Sequence, residues 1–265
     1  MREMGTVELL TREGEIAIAK RIEEGTRDLM HALTYWPNTV ARLLEEYALL
    51  EKEERRIPDV ISGWLDPTEH VPAAGPAAQA AKAAEKKAEG KDDDDDEEEE
   101  KTGLDPEEVK ERFGALRKQW NKTEKCIIKH GRDSKQADKE LAALGDILKF
   151  FKLPPRQFEP LYLAARGVLR NVRKEERNIM TLCVRDAKMP RKTFIKEFPG
   201  NETNSEWIPD IIKKKRDYSD VLRQFQEEIA RSQRKLTRAV QDTGLDIATI
   251  KEINRRMSIG EARAR

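Results

Sequence analysis

Nine consecutive carboxylates, Asp92 to Glu100, divide this 265-residue chain more decisively than any other feature. Like charges at every neighbouring position repel one another, and none of them enters a core unpaired. Whatever folds must therefore fold before the run or after it. The wider window from Asp66 to Lys101 holds thirteen acidic residues against five lysines, with Pro72, Gly75, Pro76 and an alanine-rich stretch ahead of the run. Such a segment buries too little apolar surface to offset its ordering entropy, so residues 66–104 are expected to form a disordered acidic linker. A calcium site is disfavoured, because oxygen-ligand loops need a glycine turn that converges the carboxylates, and the run has none. A self-repelling tether remains, and it would also oppose indiscriminate nucleic-acid binding by basic surface nearby. The whole chain has 51 basic and 51 acidic residues. With the window at −8, the remainder carries +8.

Outside the window the apolar period is helical. Thr11 is placed as an N-cap, and Ile16, Ala19, Ile22, Leu29 and Leu33 mark a stripe over about 12–35 that ends where Pro37 forbids continuation. Val40, Leu43, Leu44, Tyr47 and Leu50 make a second amphipathic helix, and a short turn carries Val60, Ile61, Trp64 and Leu65. Asp105-Pro106-Glu107-Glu108 combines an N-cap, a first-turn proline and two first-turn acids. Val109, Phe113, Leu116, Trp120 and Ile127 give that helix its buried stripe, and Gly131 ends it. Further helices are expected at about 135–151, 155–187, 190–198, 215–242, 246–256 and from 259. No run alternates with period two over a strand's length, so the fold class is all-α: an antiparallel helical bundle with a long acidic loop.

Composition excludes more than it selects. Only 37% of residues are hydrophobic and 38% are charged, with a mean hydropathy of −0.81, so a dense enzyme core is not expected. No stretch of 18 apolar residues and no secretory leader pattern occurs, which implies neither a membrane span nor secretion. Cys126 and Cys183, far apart and each within a helical pattern, suit reduced thiols and a cytoplasmic setting. His31, His70 and His130 form no HExxH arrangement, and no CxxC pair, glycine-rich phosphate loop or GxSxG elbow is present. No catalytic residue, metal or other cofactor, and no small-molecule substrate, is assigned.

The helix after Pro154-Pro155 carries two stripes. Phe158, Leu161, Ala165, Leu169 and Val172 form one, and Arg166, Arg170, Arg173 and Arg177 form the other, about 110° around the axis. Guanidinium forks in a row suit phosphates or carboxylates on a partner. The competing reading is a solvated face paired with Glu175 and Glu176. Lys213-Lys214-Lys215-Arg216 and the residues Arg231, Arg234, Lys235 and Arg238 add to the case for an anionic partner. Trp207, in an expected loop from Asn201 to Pro209, either stacks on a base or plugs a core beside Ile208.

Two terminal strings carry a resemblance. MREMGTVELLTREGEI, residues 1–16, continuing to AKRIEE at 19–24, resembles region 1.2 of the primary sigma factors of bacterial RNA polymerase, and NRRMSIGEARA at 254–264 resembles the entry to their region 2.1. Between them, the acidic loop, the segment from Pro155 through Leu182-Cys183, and Gly200-Asn201-Glu202-Thr203 resemble the non-conserved insert of proteobacterial members. The resemblance implies five segments: a region 1.2-like helix (1–36), the start of the insert (37–65), the acidic linker (66–104), the helical insert (105–250) and the entry to region 2.1 (251–265). It also implies a non-enzymatic role in transcription initiation. Core RNA polymerase, especially its largest subunit, would be the partner, with Met1 and Arg2 facing the promoter discriminator and the insert tuning promoter escape. The −10 and −35 readers that follow region 2.1 in this family are not in the sequence, so a fragment or split product is expected. The alternative is a free-standing helical adaptor that binds an anionic protein surface.

Overall fold

The computed structural model describes residues 11–65 and 104–265. Residues 66–103 of the acidic linker, His70 among them, and Met1 and Arg2 lie outside the described residues. The described chain is helical apart from one two-stranded ladder, and it divides into two units. The first takes Met1–Thr34, Val40–Gln157 and Met257–Arg265, and the second takes Tyr35–Thr39 and Phe158–Arg256.

The first unit contains α1 (Arg12–Thr34), most of α2 (Thr39–Glu51), the single turn α3 (Ile57–Val60), α4 (Pro106–His130) and α5 (Lys135–Leu148). Its helix ends follow local chemistry. The Thr11 hydroxyl accepts from Gly14 N at 3.2 Å. Asp105 caps α4 by accepting from Glu107 N at 3.0 Å, and Pro106 occupies the first turn, where a missing N–H costs nothing. Ser134 caps α5 by accepting from Ala137 N at 3.1 Å. The four residues between α4 and α5 fold the two helices into an antiparallel pair. Gln119 Nε2 donates to Glu140 at 2.8 Å, and Lys122 pairs with the same carboxylate at 2.9 Å. Val109, Phe113 and Leu116 are buried as expected, whereas Trp120 and Ile127 are only half-covered and Thr123 takes the buried position between them. The Thr123 hydroxyl satisfies itself on Gln119 O at 2.9 Å.

The core of this unit is aromatic at its centre. Phe113 stacks on Tyr47 at 4.2 Å and meets Phe151 edge-on at 5.1 Å, and Trp64 meets Phe151 at 5.0 Å. Trp64 and Phe151 reach these places on a ladder that the all-helical reading did not anticipate, β1 (Gly63–Trp64) antiparallel to β2 (Phe151–Lys152). Two residues per strand are too few to show a period of two in sequence.

The second unit is built from α6 (Pro155–Met180) beyond its first turn, a π-helical turn (Thr181–Asp186), α7 (Arg191–Glu197), α8 (Trp207–Lys213), α9 (Ser219–Gln224), α10 (Gln226–Thr243) and the first part of α11 (Ile247–Ala264). Three expectations need correction. The segment 201–209 is not a loop throughout: Trp207 opens α8, and Pro209 falls in its first turn, where proline is tolerated. The expected helix 215–242 is two helices separated at Phe225, whose partly buried ring packs on the core; no glycine or proline signals the break. The expected pair 246–256 and 259 onward is one continuous helix, because nothing between Arg256 and Ile259 interrupts its ladder. Trp207 itself is buried against Phe198 at 5.3 Å and Phe194 at 6.0 Å, which is the core reading of that residue. Gln233, buried on α10, donates to Asn204 O at 2.8 Å and ties the 201–206 turn down. Cys126 and Cys183 are both free thiols, and burial pushes Cys183 up to about 12.

Helices α1 and α11 cross within the first unit at two glycines. A Cβ on Gly25 would lie 2.6 Å from Gly260 O and 2.5 Å from Ala264 N, and one on Gly260 would lie 2.7 Å from Leu29 N. The backbones therefore touch directly, and Arg263 pairs with Asp28 beside the crossing.

Candidate partner-binding surface

Helix α6 turns its apolar stripe inward. Leu161, Ala165, Leu169 and Val172 are buried and Phe158 is half-buried, with Ile179 continuing the line. The arginine stripe divides. Arg166 is half-buried, its guanidinium 5.2 Å from the Tyr162 ring centroid. Arg170, Arg173 and Arg177 are exposed, and Arg177 Nε donates along the helix to Arg173 O at 3.1 Å.

The two carboxylates next to this row in the sequence, Glu175 and Glu176, are occupied elsewhere. Glu175 is buried and accepts from Lys235 Nζ on α10 at 2.9 Å, while Glu176 pairs with Lys251 on α11. Burial pushes the Glu175 carboxyl up, yet hydrogen bonds from Lys235 and Ser232 outweigh it and hold the group below its ordinary value. Arg170 and Arg173 pair with no carboxylate among the described residues. Arg170 and Arg173 thus form a solvated cationic face whose neighbours Glu175 and Glu176 are paired with Lys235 and Lys251 instead.

Helix α10 runs antiparallel beside α6: Asn178 Nδ2 donates to Ser232 Oγ at 2.9 Å one turn away from the Glu175–Lys235 pair. A shallow cleft of about 460 Å³ follows this seam, lined by Lys174, Glu175, Arg177, Asn178, Thr181 and Lys235. Arg231, Arg234 and Arg238 are exposed on the outer side of α10. The Lys213–Arg216 block is partly spent, since Lys213 pairs with Asp210 at 3.0 Å and Arg216 donates to Tyr218 Oη at 2.9 Å; Lys214 and Lys215 are exposed. The sequence reading named these cations except Lys174 and Lys251, but not the seam, which depends on which helices become neighbours. A usable signal existed in the identical spacing i, i+3, i+4, i+7 of cations at 170, 173, 174, 177 and at 231, 234, 235, 238.

No cluster of metal-ligating side chains occurs among the described residues. His130 is exposed at the end of α4, and His31 is not a simple surface residue, because its ring lies against Gly145 of α5, where a Cβ would approach within 2.7 Å. Among the described residues no helix is long and apolar enough to cross a membrane.

Comparison with known proteins accounts for nearly the whole chain. Residues 1–27 match the family model for sigma-70 factor region 1.2, and residues 36–239 match that for the sigma-70 non-essential region. The chain is 34% identical over 273 residues to a protein named RNA polymerase sigma factor RpoD from Neisseria gonorrhoeae, an alignment covering 98% of this chain and 42% of that relative. It therefore spans about two fifths of the length of the curated relative it matches. With an N-terminal segment of one sigma-70 region followed directly by a helical insert matching another, the chain belongs to the sigma-70 family.

Proposed function

We propose that the chain supplies region 1.2, the insert and the entry to region 2.1 of a primary sigma factor acting in bacterial transcription initiation in the cytoplasm, with no catalytic activity, cofactor or small-molecule substrate of its own. The match of 1–27 and 36–239 to consecutive sigma-70 regions is the observation that carries the reading. Its partners are core RNA polymerase and promoter DNA. Segments 1–36, 37–65, 105–250 and 251–265 act as region 1.2, insert start, insert body and region 2.1 entry, joined by the linker 66–104. The insert meets the polymerase through Arg166, Arg170, Arg173 and Arg177, with the largest subunit as the contact, and so modulates promoter escape. The unpaired state of Arg170 and Arg173 supports a partner that brings its own carboxylates.

Co-purification with core polymerase tests the main reading, and failure to bind core would favour the free-standing adaptor. Reversing Arg166, Arg170 and Arg173 to glutamate is expected to weaken that binding with little loss of fold stability; unchanged binding at low and moderate salt would make the stripe solvated surface. Met1 and Arg2 are assigned to the discriminator, a thioether against a base and a guanidinium at a base edge. In the parent protein with polymerase, Arg2→Ala is expected to change open-complex lifetime differently on two promoters that differ only in the discriminator. An equal change on both would reduce Arg2 to a phosphate contact.

A further inference from the structure

The second unit carries 22 basic against 15 acidic residues, and part of that excess is concentrated on one face. On α10, Arg231, Arg234, Lys235 and Arg238 stand one and two turns apart on the side opposite the buried Ile229 and Leu236. Of these four, Lys235 also lines the cleft, where the antiparallel seam sets Lys174 and Arg177 on the α6 bank, so the row and the cleft cations adjoin at Lys235. These six cations form one plate. Its single interior carboxylate, Glu175, lies beneath Lys235, whose side chain is still 57% exposed despite the pair. Glu227 and Glu228 in the first turn of α10, and Asp242 in its last, bound the plate at its ends.

We propose that this plate binds the phosphate backbone of duplex DNA without regard to sequence. Three observations favour that occupant over an acidic protein or a single strand. Protein interfaces are organised around a buried apolar centre, and none of the exposed large apolar residues among the described residues (Ile18, Ile22, Ile128, Leu163, Ile195, Val221 and Ile259) lies on α10 or in the cleft. Single strands are held by stacking on aromatic side chains, and neither the α10 row nor the cleft contains one. The α10 row is about 10 Å long, which spans roughly three phosphates of one strand at about 3.4 Å of duplex axis each.

The proposal leaves the polymerase contact through Arg166, Arg170 and Arg173 in place and is tested apart from it. Binding of the chain to a short labelled duplex of random sequence is followed by fluorescence anisotropy across a salt series. Binding at low salt, equal for two unrelated sequences, is expected. In a variant carrying Arg231→Gln, Arg234→Gln and Arg238→Gln, the slope of log Kd against log salt should shrink by about 3, one for each phosphate that is no longer neutralised. The triple Arg→Lys variant should retain the original slope, which together with an unchanged helical signal separates loss of charge from loss of fold. Absence of binding at low salt, or a slope indifferent to the glutamine variant, overturns the proposal. So does tighter binding of a single strand or of an acidic helical peptide under the same conditions. Core-polymerase co-purification of the glutamine variant should be unchanged, so failure here and failure of the sigma-factor reading give different results.

Discussion

At the scale of single residues, the glycines separate into those that hold structure and those that weaken it. Gly25→Ala or Gly260→Ala pushes a methyl group into the backbone of the opposite helix, with no flexible side chain available to move aside. A loss of about 1–3 kcal/mol is expected, read as a lowered thermal midpoint. Gly114, in the middle of α4, has nothing within 4 Å of its would-be Cβ. Gly114→Ala should therefore raise stability by about 0.4–1 kcal/mol through the unfolded state. If both substitutions moved stability in the same direction, the close crossing would be wrong. Sequence alone distinguishes none of these positions: all three glycines sit inside helical patterns, and the difference is made by residues more than 200 positions away.

At the scale of elements, capped helices were legible and those shaped by packing were not. Thr11, the Asp105-Pro106 pair and Gly131 mark their helix ends because the relevant chemistry is within four residues of the end itself. The Phe225 break and the start of α8 at Trp207 answer instead to a core assembled from distant segments, so no local signal announces them. The α6–α10 seam is of the same kind, and it makes a pH-dependent prediction. Because the Glu175 carboxyl is held below its ordinary value, it contributes stability above the ordinary carboxylate range, and that contribution fades as pH falls through the depressed folded value. Lys235→Met removes the principal hydrogen-bond donor and leaves a buried carboxylate, so its titration should shift upward. A deficit of about 1 kcal/mol is expected at neutral pH, narrowing near about pH 4, in denaturant unfolding at each pH. A deficit independent of pH would assign the effect to lost packing by the lysine stem.

At the scale of the whole molecule, the division into two units has a thermodynamic signature. Each unit owns a distinct core, one centred on Phe113 and the other on residues such as Ile208 and Leu222. Calorimetry should resolve two transitions, with Phe113→Ala lowering one and Ile208→Ala the other, at a cost of about 2–5 kcal/mol each. One transition moved equally by both substitutions would mean a single cooperative body. The all-helical class and the family membership were both readable from sequence, the first from period and the second from the terminal strings. The candidate surface was half-readable: its cations were visible, while the fate of Glu175 and Glu176 was decided by Lys235 and Lys251, which only folding brings near.

The glycine crossing has one more consequence. Asp28 and Arg263 are 235 residues apart along the chain and paired in space, so the intervening polypeptide leaves and returns at almost the same point. The pair thus closes a loop in the chain. The entropy of closing a loop grows only with the logarithm of its length, by about 0.6 kcal/mol for each doubling. Residues added to or removed from surface loops between Asp28 and Arg263 are therefore expected to change that closure term little, while the two segments joined at the crossing keep the same address relative to each other.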